Sequence, residues 1–155
     1  ADFLGARGAE AVRAALADGT IDIVATDHAP HPMEDKQCEW AAAAFGMIGL
    51  EQALAVVLDT MVNTGRLDWD GVAQAMSVRP AVIGRRAGHG RPIGPGEPAN
   101  LVLVDPSGRA TVDARDSASK SRNNPYSGRD LPTPVVATFL RGRPTVADRV
   151  LVEPS

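Results

Sequence analysis

A carboxylate and two imidazoles stand close together in the stretch Thr26-Asp27-His28-Ala29-Pro30-His31. Asp and His are the side chains that a divalent cation and an anionic substrate each recruit. Pro30 stiffens the loop and lowers the entropic cost of holding His31 at a fixed offset from Asp27. The same hexapeptide also suits an ordinary N-cap or Asx turn. On spacing alone both readings stand.

The elements that must position these groups can be read outward from them. Residues 21–25, Ile-Asp-Ile-Val-Ala, read as a buried β-strand ending at the motif. Reacting groups of open α/β sheets and (β/α)₈ barrels lie at such carboxyl ends. Residues 7–18 put Val12, Ala15 and Leu16 on one helical face, and Asp18-Gly19 is a stop. Helix, turn and strand make the αβ half of a βαβ unit, which predicts a parallel sheet.

Residues 32–44 form a polar loop, either a mobile lid or a solvated excursion. Beyond it Met47, Leu50, Leu54, Val57, Leu58 and Met61 recur at three- and four-residue steps, predicting an amphipathic helix of roughly four turns. Phe45-Gly46 would then be a helix N-terminus offering N–H groups to an anion, or a plain N-terminal glycine beside a hydrophobic staple. A further helix runs from about residue 69 to 77 with Asp68 as N-cap, and Pro80 opens one more short turn.

From Gly88 the pattern changes. Gly88, Gly90, Gly94, Gly96, Pro92, Pro95 and Pro98 make a loop, and strands are predicted at 100–104, 110–112, 135–140 and 145–147. A boundary near residue 88 divides the chain into units 1–88 and 89–155, the second a small β module. The stretch 119–128, Ser-Lys-Ser-Arg-Asn-Asn-Pro-Tyr-Ser-Gly, either bonds its own backbone through Ser and Asn or lines a site entrance. His89 reads as solvated.

Composition narrows the function classes. Residues 1–40 carry 8 acids against 3 bases and residues 85–155 carry 11 bases against 7 acids. Those bases are scattered and aromatics are only 4% of the chain, so base stacking has little support and nucleic-acid binding is not expected. No apolar run approaches the roughly 18 residues of a membrane span, and nothing resembles a signal peptide. With Cys38 the sole cysteine, no internal disulfide can form. A cytoplasmic protein is expected.

Four stretches together, 18–31 with Asp-His-Ala-Pro-His, 45–51 (Phe-Gly-Met-Ile-Gly-Leu-Glu), 96–106 (Gly-Glu-Pro-Ala-Asn-Leu-Val-Leu-Val-Asp-Pro) and 119–128, resemble the C-terminal part of bacterial dihydroorotases, in the amidohydrolase superfamily. The resemblance implies an α/β chain, the C-terminal fragment of a (β/α)₈ TIM barrel plus part of a small β-sandwich. It implies reversible cyclisation of N-carbamoyl-L-aspartate to dihydroorotate in pyrimidine biosynthesis, with one or two zinc ions. Asp27 resembles the family's last metal ligand and catalytic base, His31 the histidine that contacts the substrate carboxylate, and Phe45-Gly46 the pair whose backbone touches the substrate. The family's remaining metal ligands lie upstream of anything present, and a full barrel needs about 250 residues, so the isolated 155 residues are expected to be inactive. Ala44 and Arg79 stand where the family commonly has Pro and Asn. A homo-oligomer acting on a small molecule is implied, with neither membrane nor nucleic acid as partner. Two other readings stay open: a non-catalytic partner of aspartate transcarbamoylase, and a related cyclic amidase of hydantoinase or allantoinase type.

Overall fold

Strong helix formers fill the first helix, α1 (Gly5–Ala17). It ends at Asp18, whose Oδ1 accepts from the Thr20 N–H at 2.9 Å. The computed structural model of the chain describes residues 5–153; residues 1–4 and 154–155, the outer ends of the two expected units, lie outside the described residues. A single turn, α2 (Met33–Lys36), follows the histidine motif. Next, α3 (Ala53–Val57) runs directly into a π-helical turn (Leu58–Val62). Finally α4 (Trp69–Ala73), a second π turn (Gln74–Val78) and α5 (Arg79–Ile83) are continuous.

The expected cap at Asp68 is present, with an extended backbone and a side chain that accepts from the Gly71 N–H at 2.8 Å. Satisfying an otherwise orphaned N–H is the reason Asp is favoured there. Asp68→Ala is expected to destabilise the full-length protein by about 1 kcal/mol, read as a lower denaturation midpoint at unchanged slope.

Val57, Leu58, Met61 and Val72 form the buried core, with Leu16, Val24, Leu54, Val62, Leu67 and Met76 packed around it. The apolar positions of three helical stretches and of the 21–25 segment thus meet, and removing such side chains from water is the main stabilising term.

Two expectations are corrected. Residues 21–25 form no strand: the stretch is extended and Val24 packs on the core, but its bonding to the rest is piecemeal, such as Val24 N to Ala75 O at 3.1 Å. A strand exists only through a ladder with neighbours. The predicted parallel sheet is here reduced to one isolated parallel bridge, His28 with Met47. The amphipathic helix also starts later than its periodicity suggests, at Ala53, leaving Met47 and Leu50 outside it and exposed.

Every described strand lies after the helices. They are β1 (Leu101–Val104), β2 (Arg109–Thr111), β3 (Asp130–Pro132), β4 (Val135–Leu140), β5 (Arg143–Ala147) and β6 (Val150–Leu151). One antiparallel sheet has the order β1-β4-β5-β6 and a second pairs β2 with β3. The four predicted strands correspond to β1, β2, β4 and β5. The short β3 and β6, and a 3₁₀ turn at Ala114–Asp116 inside the β module, were not anticipated.

Polar links join the helical and β parts. The Arg109 guanidinium reaches Asp59 at 3.2 Å and Asp130 at 2.7 Å, and Ser117 Oγ donates to Glu51 Oε1 at 2.7 Å. Among the described residues no helix is long and apolar enough to cross a membrane.

Candidate functional site

The two stretches singled out by chemistry meet. Ala29 N–H donates to Met47 C=O at 2.9 Å, extending the His28–Met47 bridge and laying residues 28–31 beside residues 45–48. His28 Nδ1 accepts from the Gly49 N–H at 3.2 Å and the Leu50 N–H at 3.3 Å. A nitrogen that accepts carries no proton, which leaves Nε2 as the ring's donor.

This local bonding explains why the helix starts late. Phe45-Gly46 is not a helix N-terminus, and the N–H groups at 49 and 50 are already taken by His28. The anion-binding helix terminus is therefore corrected. Tertiary bonding to an imidazole has overridden the apolar period. Phe45 itself is 95% exposed, so its ring anchors nothing among the described residues.

Gly46 has φ +117, a conformation L side chains rarely adopt. A Cβ there would lie 2.6 Å from the Ala29 Cβ and 3.1 Å from His31 Nε2. The missing side chain is what lets the His31 imidazole sit against the backbone at 46. On its other edge, His31 Nδ1 lies 3.9 Å from Asp35 Oδ2, on α2.

The 32–44 loop is tied rather than open. Lys36 Nζ donates to Ala44 C=O at 2.7 Å and to Gly46 C=O at 3.1 Å, and Ala44 N–H donates to Asp35 C=O at 2.9 Å. Stretch 119–128 contributes from the opposite side. It does bond its own backbone, as when Tyr126 N–H donates to Asn124 Oδ1 at 2.9 Å. It also reaches residues 29, 31, 46 and 48 through Ser121 and Asn123. A cleft of about 200 Å³ lies between it and α2, lined by His31, Lys36, Lys120, Ser121, Arg122 and Asn123 among others.

Asp27 is exposed and has φ 46, in the left-handed region that Asp tolerates. His31 and Gly46 are thus brought together, while Asp27 adjoins them through the chain. The donor set does not fit a metal ion unaided: among the described residues no three His, Cys, Asp or Glu side chains converge. A catalytic zinc takes three protein ligands, and Asp27 can offer one. Asp35, Lys36, Ser121 and Asn123 escaped the residue-type search. Only the density of Ser and Asn in 119–128 hinted at the last two.

No family model matches the chain. It is 65% identical over 142 residues to a protein named dihydroorotase from Streptomyces coelicolor, matching 92% of this chain and 33% of that protein. Dihydroorotases of Leifsonia xyli and Mycobacterium tuberculosis are 56% and 52% identical over similar spans. The chain spans about one third of the length of the curated relatives it matches. In three dimensions it resembles an L-hydantoinase from Arthrobacter aurescens, with TM-score 0.87 and 29% identity over 96% of this chain and 34% of that one. A D-hydantoinase from Thermus sp. gives TM-score 0.86 at 28% identity, covering 96% of this chain and 33% of that one.

Proposed function

The chain is a homologue of the bacterial dihydroorotases, matching their C-terminal third, and from that premise we propose that the protein it forms part of interconverts N-carbamoyl-L-aspartate and dihydroorotate. The 65% identity carries this reading, and the contact of His31 with Gly46 supports it by giving a substrate carboxylate a defined seat.

In the hydrolytic direction the ring amide carbonyl gains a hydroxide, and the Asp27 carboxylate takes that hydroxide's proton and passes it to the leaving ring nitrogen. His31 and the backbone at Phe45-Gly46 hold the substrate carboxylate. Their contribution is orientation rather than bond-making. Asp27 would be one holder of a divalent ion, zinc in this proposal and one or two in number, which when bound would supply the hydroxide and polarise the carbonyl. The ion's other ligands belong to the part of the protein outside these 155 residues. The division near residue 88 into a barrel part and a β-sandwich part, a cytoplasmic location, and a homo-oligomeric state with docking to aspartate transcarbamoylase belong to the same proposal.

The experiment is direct: purified full-length protein is assayed for dihydroorotate hydrolysis before and after chelation of metal. Turnover that chelation abolishes is expected, and no turnover of dihydroorotate by the metal-loaded protein sinks the proposal. A second reading, hydrolysis of hydantoins or other cyclic ureides, is favoured by the solved neighbours. A substrate panel decides between them. His31→Ala is expected to raise KM roughly 10- to 100-fold, the worth of one hydrogen bond to a charged group, with kcat changed far less. An unaltered KM would remove His31 from the carboxylate seat.

A further inference from the structure

His31 lies between Pro30 and Pro32, neither of which has a backbone N–H. The His31 N–H is therefore the one main-chain donor of residues 30–32, and its C=O is one of their three acceptors. Both are engaged by one atom. Ser121 Oγ accepts from the His31 N–H at 3.2 Å and donates to the His31 C=O at 2.7 Å. Ser121 is the one buried polar side chain among the described residues, 7% exposed.

Asn123 continues the clasp. Its Nδ2 donates to the Ala29 C=O at 3.3 Å and the Gly46 C=O at 3.0 Å, and its own C=O accepts from the Ile48 N–H at 3.2 Å. The Ser121 hydroxyl also contacts Asn123 Oδ1, sharing its single proton between that oxygen and the His31 carbonyl. With Lys36 Nζ on it too, the Gly46 carbonyl takes two donors.

We propose that Ser121 and Asn123 are positioning residues: they fix the backbone of His31 and Gly46 so that imidazole and main chain meet a substrate carboxylate together. This rests on the proposed function above, and it adds that recognition by residues 26–46 depends on a loop some ninety positions further on. Both residues act through the main chain of residues 29, 31 and 46. A displacement of about 1 Å in a positioning group can cost up to ~100-fold in rate, and an anion held by a tilted ring loses affinity before it loses chemistry.

The test compares full-length wild type with Ser121→Ala, Ser121→Thr and Asn123→Ala. Two quantities are read: KM and kcat for dihydroorotate, and the NMR signal of the His31 ring in histidine-labelled protein. Ser121→Ala is expected to raise KM about tenfold with kcat within about threefold and to shift the His31 signal. Ser121→Thr, which keeps the hydroxyl, is expected to bring both back toward wild type. Should Ser121→Ala not fold, Asn123→Ala is judged on the same two quantities. An unchanged KM together with an unmoved His31 signal overturns the proposal, as does a loss confined to kcat. If wild type hydrolyses no dihydroorotate, the proposed function fails by itself. The His31 signal then decides alone: a shift on loss of the hydroxyl that Thr reverses supports positioning, and no shift overturns it.

Discussion

In the full-length protein Asp27→Asn is expected to lower kcat by about 10²- to 10⁴-fold, the range that a positioned general acid or base contributes, while metal content stays largely intact. The substitution is informative because little else changes. Asn matches Asp in size, keeps one carbonyl oxygen able to act as a ligand, and tolerates the left-handed backbone at φ 46. What it loses is the negative charge and the capacity to accept a proton and release it to a leaving nitrogen. Ala at this position would confuse that loss with backbone strain. Steady-state kinetics and metal analysis on the same preparation separate the outcomes. A variant with kcat within about threefold of wild type would deny Asp27 the role of base, and one that had lost its metal would show a ligand rather than a proton carrier.

How much of this was legible in the sequence depends on where each residue's partners are. The helices at 5–17 and 69–83 and the cap at Asp68 were readable because their bonds close within a few positions. Strands β1, β2, β4 and β5 were readable because runs such as Val135–Leu140 carry their own β-branched signal. Residues 21–25 carry the same signal yet form no strand, since pairing is a property of neighbours and the described chain supplies none there. Met47 and Leu50 fit a helical period but are held by His28, whose position relative to them no periodicity records. At the site, Asp27, His31 and Phe45-Gly46 could be named from residue type and family resemblance. Ser121 and Asn123 could not be connected to them, because a hydrogen bond across ninety positions leaves no trace in local pattern.

Gly46→Ala is the other change expected to have a large effect, and it tests geometry where Asp27→Asn tests chemistry. Two costs arise together. Backbone at φ +117 is strained for any L side chain, at about 1–3 kcal/mol. The new methyl would also stand 2.6 Å from the Ala29 Cβ and 3.1 Å from His31 Nε2, so something must move. Ala29 is fastened to Met47 and the carbonyl of residue 46 to Lys36 and Asn123. The least restrained group is therefore the His31 ring, which the methyl pushes out of the carboxylate seat. Roughly 100-fold loss of kcat/KM is expected, mostly through KM, with a lowered melting temperature. Ala29→Gly in the same background separates the two costs: it removes the closest clash and leaves the φ strain untouched, so a steric origin shows as partial recovery of KM without recovery of stability. Coupling of this kind between touching residues is what a double-mutant cycle measures. If Gly46→Ala alone retains wild-type kcat/KM, the close seating of His31 on a bare backbone has no part in recognition, and the substrate carboxylate must be held elsewhere.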